Sequence, residues 1–165
     1  MKRTSYLRRG WVAQVEQIYA SRYRDFVRVA HAIVGDAHGA RLAVHGTFVN
    51  AVAAPPSRDT RGASVESHLW RVLLSAAPEQ RLGRLTAVDP EPAKQFRLAA
   101  DRLPIEEQHA LYLRRFGGLD DVEVGAVLGL EPDAVELMVA RACQALASVL
   151  APDTSQEDRH ERQAV

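Results

Sequence analysis

The sequence predicts an all-α protein of two small helical domains, the C-terminal one a helix-turn-helix. Three observations carry this. Apolar residues recur at three- and four-residue steps along most of the chain. No stretch alternates apolar and polar residues as a half-buried strand does. Gly and Pro residues punctuate the periodic runs where helices would stop or start. The composition, 47% hydrophobic and 25% charged over 165 residues, suits one globular domain or two small ones.

The first predicted helix spans 11–34. It sets Val15, Ile18, Tyr19, Phe26, Val29, Ala30 and Ile33 on one face, and Gly35-Asp36 stops it. Arg22, Arg24 and Arg28 line the opposite face, read either as a solvated basic surface or as a contact for an acidic partner. A second helix follows over 37–52, then a loop over 53–64 with Pro55-Pro56 and Gly62. The third helix covers 65–77 and is expected to be cut short by Pro78. Apolar periodicity fades over 81–92, and 94–102 is a lead-in to the second domain. The expected division is 1–85 for the first domain, 86–98 for a linker, 99–151 for the second domain and 152–165 for a tail. That tail has almost nothing to bury and is expected to be disordered.

The second domain is specified most strongly. Pro104 stands at the first helical position, where its missing N–H costs nothing, and Leu111, Leu113 and Phe116 precede the stop at Gly117-Gly118. Asp120 caps the next helix with Glu123 three residues on, and Leu119 and Val124 take the two positions of a hydrophobic staple. Gly129 ends that short helix. Pro132 starts the last, in which Val135, Val139, Ala142, Leu146 and Val149 recur until Pro152. This last helix is the candidate recognition helix.

Several function classes find no support in the residues. No apolar run approaches a membrane span, and nothing apolar follows Met1-Lys2-Arg3 as in a secretion signal, so the expected location is the cytoplasm. The single cysteine, Cys143, excludes an internal disulfide and is read as a small buried hydrophobe rather than a nucleophile. The six histidines are scattered; His38 and His45 could share a helix face, but without a carboxylate they make a poor metal site. No phosphate loop or nucleophile elbow is present, and the chain is expected to be neither an enzyme nor a cofactor binder.

Leu103-Pro104, the run Leu111-Tyr112-Leu113-Arg114, Gly118-Leu119, Val127-Leu128-Gly129 and Val135 resemble the promoter-binding C-terminal domain of bacterial sigma factors, best the extracytoplasmic function (ECF) type. A weaker similarity covers the N-terminal half, through 19–36, Phe48 and the segment Leu69-Trp70-Arg71-Val72. The resemblance implies a regulator of transcription initiation that associates with the RNA polymerase core and promoter DNA. Its DNA-facing residues would be Trp70, Arg71, Arg81, Arg84, Glu136 and Arg141. Trp70 with its neighbouring arginines is read as a base-stacking platform or as core plus surface. Polymerase docking would fall on 39–50, at Arg41, Leu42, His45 and Asn50.

Departures from the family pattern occur on all three surfaces. The docking helix has lost its carboxylates, and Arg41 carries the opposite charge. Leu74 and Ser75 stand where the family usually has Arg and Asn. The outward positions of the recognition helix are Ala134, Glu136, Leu137 and Met138, which offer phosphates little. Leu137 and Met138 lie off the apolar stripe, so they either pack on the first domain or meet a protein partner. The alternative function is therefore a degenerate sigma-like module that has lost promoter reading and binds a protein regulator, or itself, through its C-terminal domain.

Charge is divided in the same sense. Residues 1–88 carry 13 Lys and Arg against 6 Asp and Glu, a net +7, whereas 101–150 carry 4 against 9, a net −5. Affinity for DNA comes largely from cations that displace counterions from phosphates, and the helix-turn-helix half is short of them. The split leads to the expectation that the halves pack against each other or pair head to tail between molecules, with Arg22, Arg24 and Arg28 facing acidic residues of the C-terminal domain.

Overall fold

The computed structural model describes residues 2–54, 64–81 and 91–150, and the side chains of 9–54, 64–79 and 94–150. These residues form seven α-helices and no strand: α1 Lys2–Val34, α2 Ala37–Ala53, α3 Val65–Arg81, α4 Glu91–Ala100, α5 Ile105–Arg115, α6 Asp121–Leu128 and α7 Pro132–Leu150. The all-α class is as the sequence predicts. Residues 152–165, read as a disordered tail, lie outside the described residues.

Helices α1, α2 and α3 pack on one another, and α4, α5 and α6 gather around α7. The groups also touch, α6 against α3 and α5 against α1, and one cluster of buried side chains runs through both. In the first group the core is aromatic. Trp70 on α3 lies flat on Phe26 of α1, with centroids 3.6 Å apart and planes 7° from parallel, and Phe48 of α2 meets the Phe26 edge at 5.1 Å. Polar bonds lock the same three helices. Trp11 Nε1 donates to the Ala51 carbonyl at 2.7 Å, and Glu66 Oε1 accepts from Arg22 Nε at 2.9 Å and from Trp70 Nε1 at 3.3 Å.

The helix ends follow their local chemistry. Asp36 caps α2, its Oδ1 accepting from the His38 and Gly39 amides. At α6 the capping box is complete: Glu123 N–H donates to Asp120 Oδ1 at 2.8 Å, and Asp120 N–H donates to Glu123 Oε2 at 2.9 Å. Leu119 and Val124 are both buried beside it, and Gly129 closes the helix in the left-handed region at φ 75°.

Four expectations are corrected. Helix α1 begins at Lys2, well before the apolar face begins, because the basic residues of the N-terminus are good helix formers. Helix α3 continues through Pro78 to Arg81: proline deletes only its own bond to the Leu74 carbonyl, and buried Ala77 holds the last turn on the core. Pro104 is the N-cap of α5 rather than its first helical residue, with an extended ψ of 143°. Cys143 is exposed, since the buried stripe of α7 narrows to Val135, Ala142 and Leu146 and leaves the cysteine at its edge. Helix α4 moreover occupies much of the span read as a linker, with Ala99 and Ala100 buried.

Candidate functional site

Three surfaces hold the residues singled out in the sequence. The first is the outer face of α2. Gly39, Ala40, Ala43, Val44, Thr47, Phe48 and Ala51 turn inward, and the helical period then leaves Arg41, Leu42, His45 and Asn50 exposed together. Leu42 is 47% exposed and Val49, one turn beyond His45, is 59% exposed. Between this face and α1 lies a groove of about 510 Å3 whose apolar walls include Tyr19, Phe48, Val49 and Val52. Sequence reasoning placed Tyr19 on the buried face, yet it is 39% exposed and meets Phe48 edge to face at 5.1 Å. Val49 was missed altogether. Its signal was present in the spacing, because Leu42 and Val49 are seven residues apart on a face otherwise polar.

The second surface, around Trp70, does not present an aromatic platform. Trp70 is fully buried, one ring face covered by Phe26 and its indole N–H given to Glu66, so the base-stacking reading is corrected to a core role. Arg71 is exposed one residue on. Arg81 ends α3, with its side chain outside the described residues, and Arg84 lies outside them entirely. His68, on the same helix, packs edge to face on Trp11 at 5.6 Å; burial first, and then the nearby Arg71 charge, lower its pKa from 6.5.

The third surface is α7. Glu136 and Arg141 are exposed, and Leu137 is 53% exposed. Met138 is different: it is half-buried and packs against the core cluster, so the two residues read as a pair in the sequence have separate roles. Helix α7 rests on α4, α5 and α6, which leaves Leu137 outside the packing between the halves. Glu131, Asp133 and Glu136 are all exposed along its first turns, where carboxylates favour the helix dipole and disfavour phosphates. His109 on α5 has its pKa lowered from 6.5 by burial, against the opposing pull of Glu106.

Two arginines of the basic stripe of α1 are paired nearer home than expected. Arg22 pairs with Asp25 at 3.2 Å and with Glu66 at 2.9 Å, and Arg28 pairs with Asp25. All of these carboxylates belong to the N-terminal half, so the expectation that Arg22 and Arg28 face acids of the C-terminal half is corrected within one molecule. Asp25, three residues from each, and Glu66 on the neighbouring α3 hold these guanidinium groups before any acid of the other helical group reaches them. Among the described residues no group of three His, Cys, Asp or Glu is placed to hold a metal, and no helix is long and apolar enough to cross a membrane.

No protein-family model matches the chain, and no curated protein matches its sequence. In fold the chain is similar to a solved structure, that of CnrH, an ECF sigma factor, in complex with the cytosolic domain of CnrY, at a TM-score of 0.68 and 22% identity over 88% of this chain and 98% of that chain. The fold of this chain is therefore sigma-like through both helical groups.

Proposed function

We propose that this protein is an ECF sigma factor-like regulator of transcription initiation that works through contacts with other proteins, the RNA polymerase core first among them. The observation that supports it is the likeness to CnrH across nearly the whole of both chains, beside the sigma-like motifs at 103–135. Promoter DNA is the second proposed partner, met through Arg71, Glu136 and Arg141. Binding of the purified protein to core polymerase tests the reading. Arg41→Glu with Leu42→Glu should strengthen that binding, because both side chains are exposed and the exchange replaces a cation and an apolar group with carboxylates. Failure of either protein to bind core polymerase at low salt overturns it.

One observation favours a second reading, in which promoter reading is lost and a protein regulator is bound by the C-terminal group. The exposed face of α7 joins Leu137 to Glu136, an apolar anchor beside a carboxylate, which suits a protein surface better than a phosphate backbone. CnrH itself is seen holding the cytosolic domain of CnrY. On this reading Leu137→Asp abolishes the partnership while leaving DNA behaviour unchanged.

A further inference from the structure

Two clefts meet on one flank of α1 and share Val27 and Arg28 as a common wall. The first, about 590 Å3, opens where α1, α4 and the end of α5 converge. Its walls are apolar, built from Val27, Ala32, Phe96 and Phe116, with the two phenylalanines edge to face at 6.1 Å. The rim carries His31, Arg28 and Arg97 and no carboxylate. The second cleft, about 660 Å3, brings Arg24 and Arg28 of α1 together with Arg41 of α2. Asp25 is the carboxylate in its lining, and Arg22 also draws on it. Guanidinium groups thus outnumber carboxylates at the junction of a greasy cleft and a basic one.

We propose that these joined clefts bind a small amphipathic anion. Its apolar body lies in the cleft walled by Val27, Ala32, Phe96 and Phe116, against the paired phenylalanine rings, and its acidic head among Arg24, Arg28 and Arg41. The sign of the head follows from the guanidinium excess, whose forked donors match carboxylate, sulfonate or phosphate oxygens. The apolar body follows from the Phe96 and Phe116 walls, and each cleft falls within the roughly 300–1,000 Å3 usual for small-molecule sites. A nucleic acid duplex would satisfy the arginines but leave the apolar cleft empty, because its bases stay stacked inside the helix and its backbone offers the protein only sugars and phosphates. Such a ligand touches α1, α2, α4 and α5, so it ties the two helical groups together and stabilises their packing by mass action. This site shares Arg41 with the polymerase-facing surface but does not rest on that reading, and it stands if that reading fails.

The test uses the full-length protein and anilinonaphthalene sulfonate, an aromatic monoanion that fluoresces when sequestered from water, with decanoate and decanol as competitors. Saturable one-site binding is expected, with decanoate displacing the dye at a concentration about tenfold below decanol, the difference a charge-assisted contact supplies. Ala32→Trp fills the apolar cleft and should weaken dye binding at least about tenfold, while Arg28→Gln with Arg41→Gln should weaken dye and decanoate and leave decanol unchanged. Val49→Asp, in the separate groove between α1 and α2, should change nothing. Absence of saturable binding overturns the proposal, as does full binding by a folded Ala32→Trp protein, loss of binding in Val49→Asp, or equal competition by decanol. If Ala32→Trp does not fold, unchanged dye affinity in the double arginine variant overturns it alone.

Discussion

The Arg97 guanidinium of α4 fills the space beside Gly35 that a side chain there would need: a Cβ on Gly35 would overlap its Nη1 and lie 2.6 Å from its Cζ. Gly35 sits between α1 and α2 at φ +93°, a conformation that L side chains rarely adopt, so the backbone demands glycine whether or not the flexible Arg97 side chain moves aside. The contact places an arginine of the C-terminal group on the turn that ends α1, which makes Gly35 part of the seam between the groups as well as a helix stop.

Gly35→Ala should therefore cost its backbone strain of about 1–2 kcal/mol. The added methyl also displaces the tip of the Arg97 side chain from the turn, at little steric cost but with loss of its contact across the seam. Thermal unfolding should show a lowered midpoint, and limited proteolysis should cut faster between the two helical groups. Arg97→Ala, which empties the same space without straining the turn, should loosen the seam and leave α1–α3 stable. A Gly35→Ala protein as stable and as protease-resistant as the parent would contradict this account.

Trp70 should behave as a core residue. Trp70→Ala removes the ring stacked on Phe26 and the partner of Glu66, and a cavity of that size costs about 3–5 kcal/mol. Denaturant titration followed by circular dichroism should register the loss, and Trp70→Phe should recover most of it. A normal denaturation midpoint for Trp70→Ala would return the residue to the surface role that its sequence segment suggests.

What the sequence made legible was local. The capping box of Asp120 and Glu123, the staple of Leu119 and Val124 and the stop at Gly129 each depend on residues within a few positions, and each appears as read. Trp70 was legible only as a choice between core and base-stacking platform, because its neighbour Phe26 lies on another helix, and a motif names a tryptophan without saying which way it turns. The basic face of α1 was misread for the opposite reason: Asp25, beside the stripe itself, pairs with two of its arginines, and Glu66 of the adjacent α3 holds one of them as well, so no acid of the other helical group is needed. Cys143 shows the limit of periodicity, since a residue at the edge of a helical stripe falls in or out with small rotations of the helix. The Arg97 contact on Gly35 had no sequence signal, because it depends on how α4 meets the end of α1.

Acid should weaken the fold through its partly buried histidines. Burial lowers the pKa of both His68 and His109 from 6.5, so each resists protonation in the folded chain more than in the unfolded one. The unfolded state then binds the proton first as pH falls, and stability present above 6.5 declines below it. His109→Gln should remove its share of this slope, and denaturation midpoints across a pH series would measure it. A fold that grows more stable as pH falls from neutrality through 6.5 would reverse the sign argued here.

The recognition helix should bind duplex DNA poorly as it stands. Of the cations near it, Arg114 is bonded to Asp121, and Arg141 is the one basic residue on α7 itself. Glu131, Asp133 and Glu136 are exposed along the first turns, at the end of the helix that would enter the groove. Glu136→Lys with Leu137→Arg converts two exposed positions without touching the core, whereas a charge at half-buried Met138 would disturb its packing. The double variant should gain salt-sensitive affinity, its log K falling with log salt more steeply by about 0.9 for each phosphate newly met. Electrophoretic shifts over a salt series, with random duplex as competitor, measure both the affinity and the slope. Selective nanomolar binding of the unmodified protein to one duplex at physiological salt would mean that Glu136 accepts from a base in the groove, and that the acidic start of α7 is held away from the phosphates.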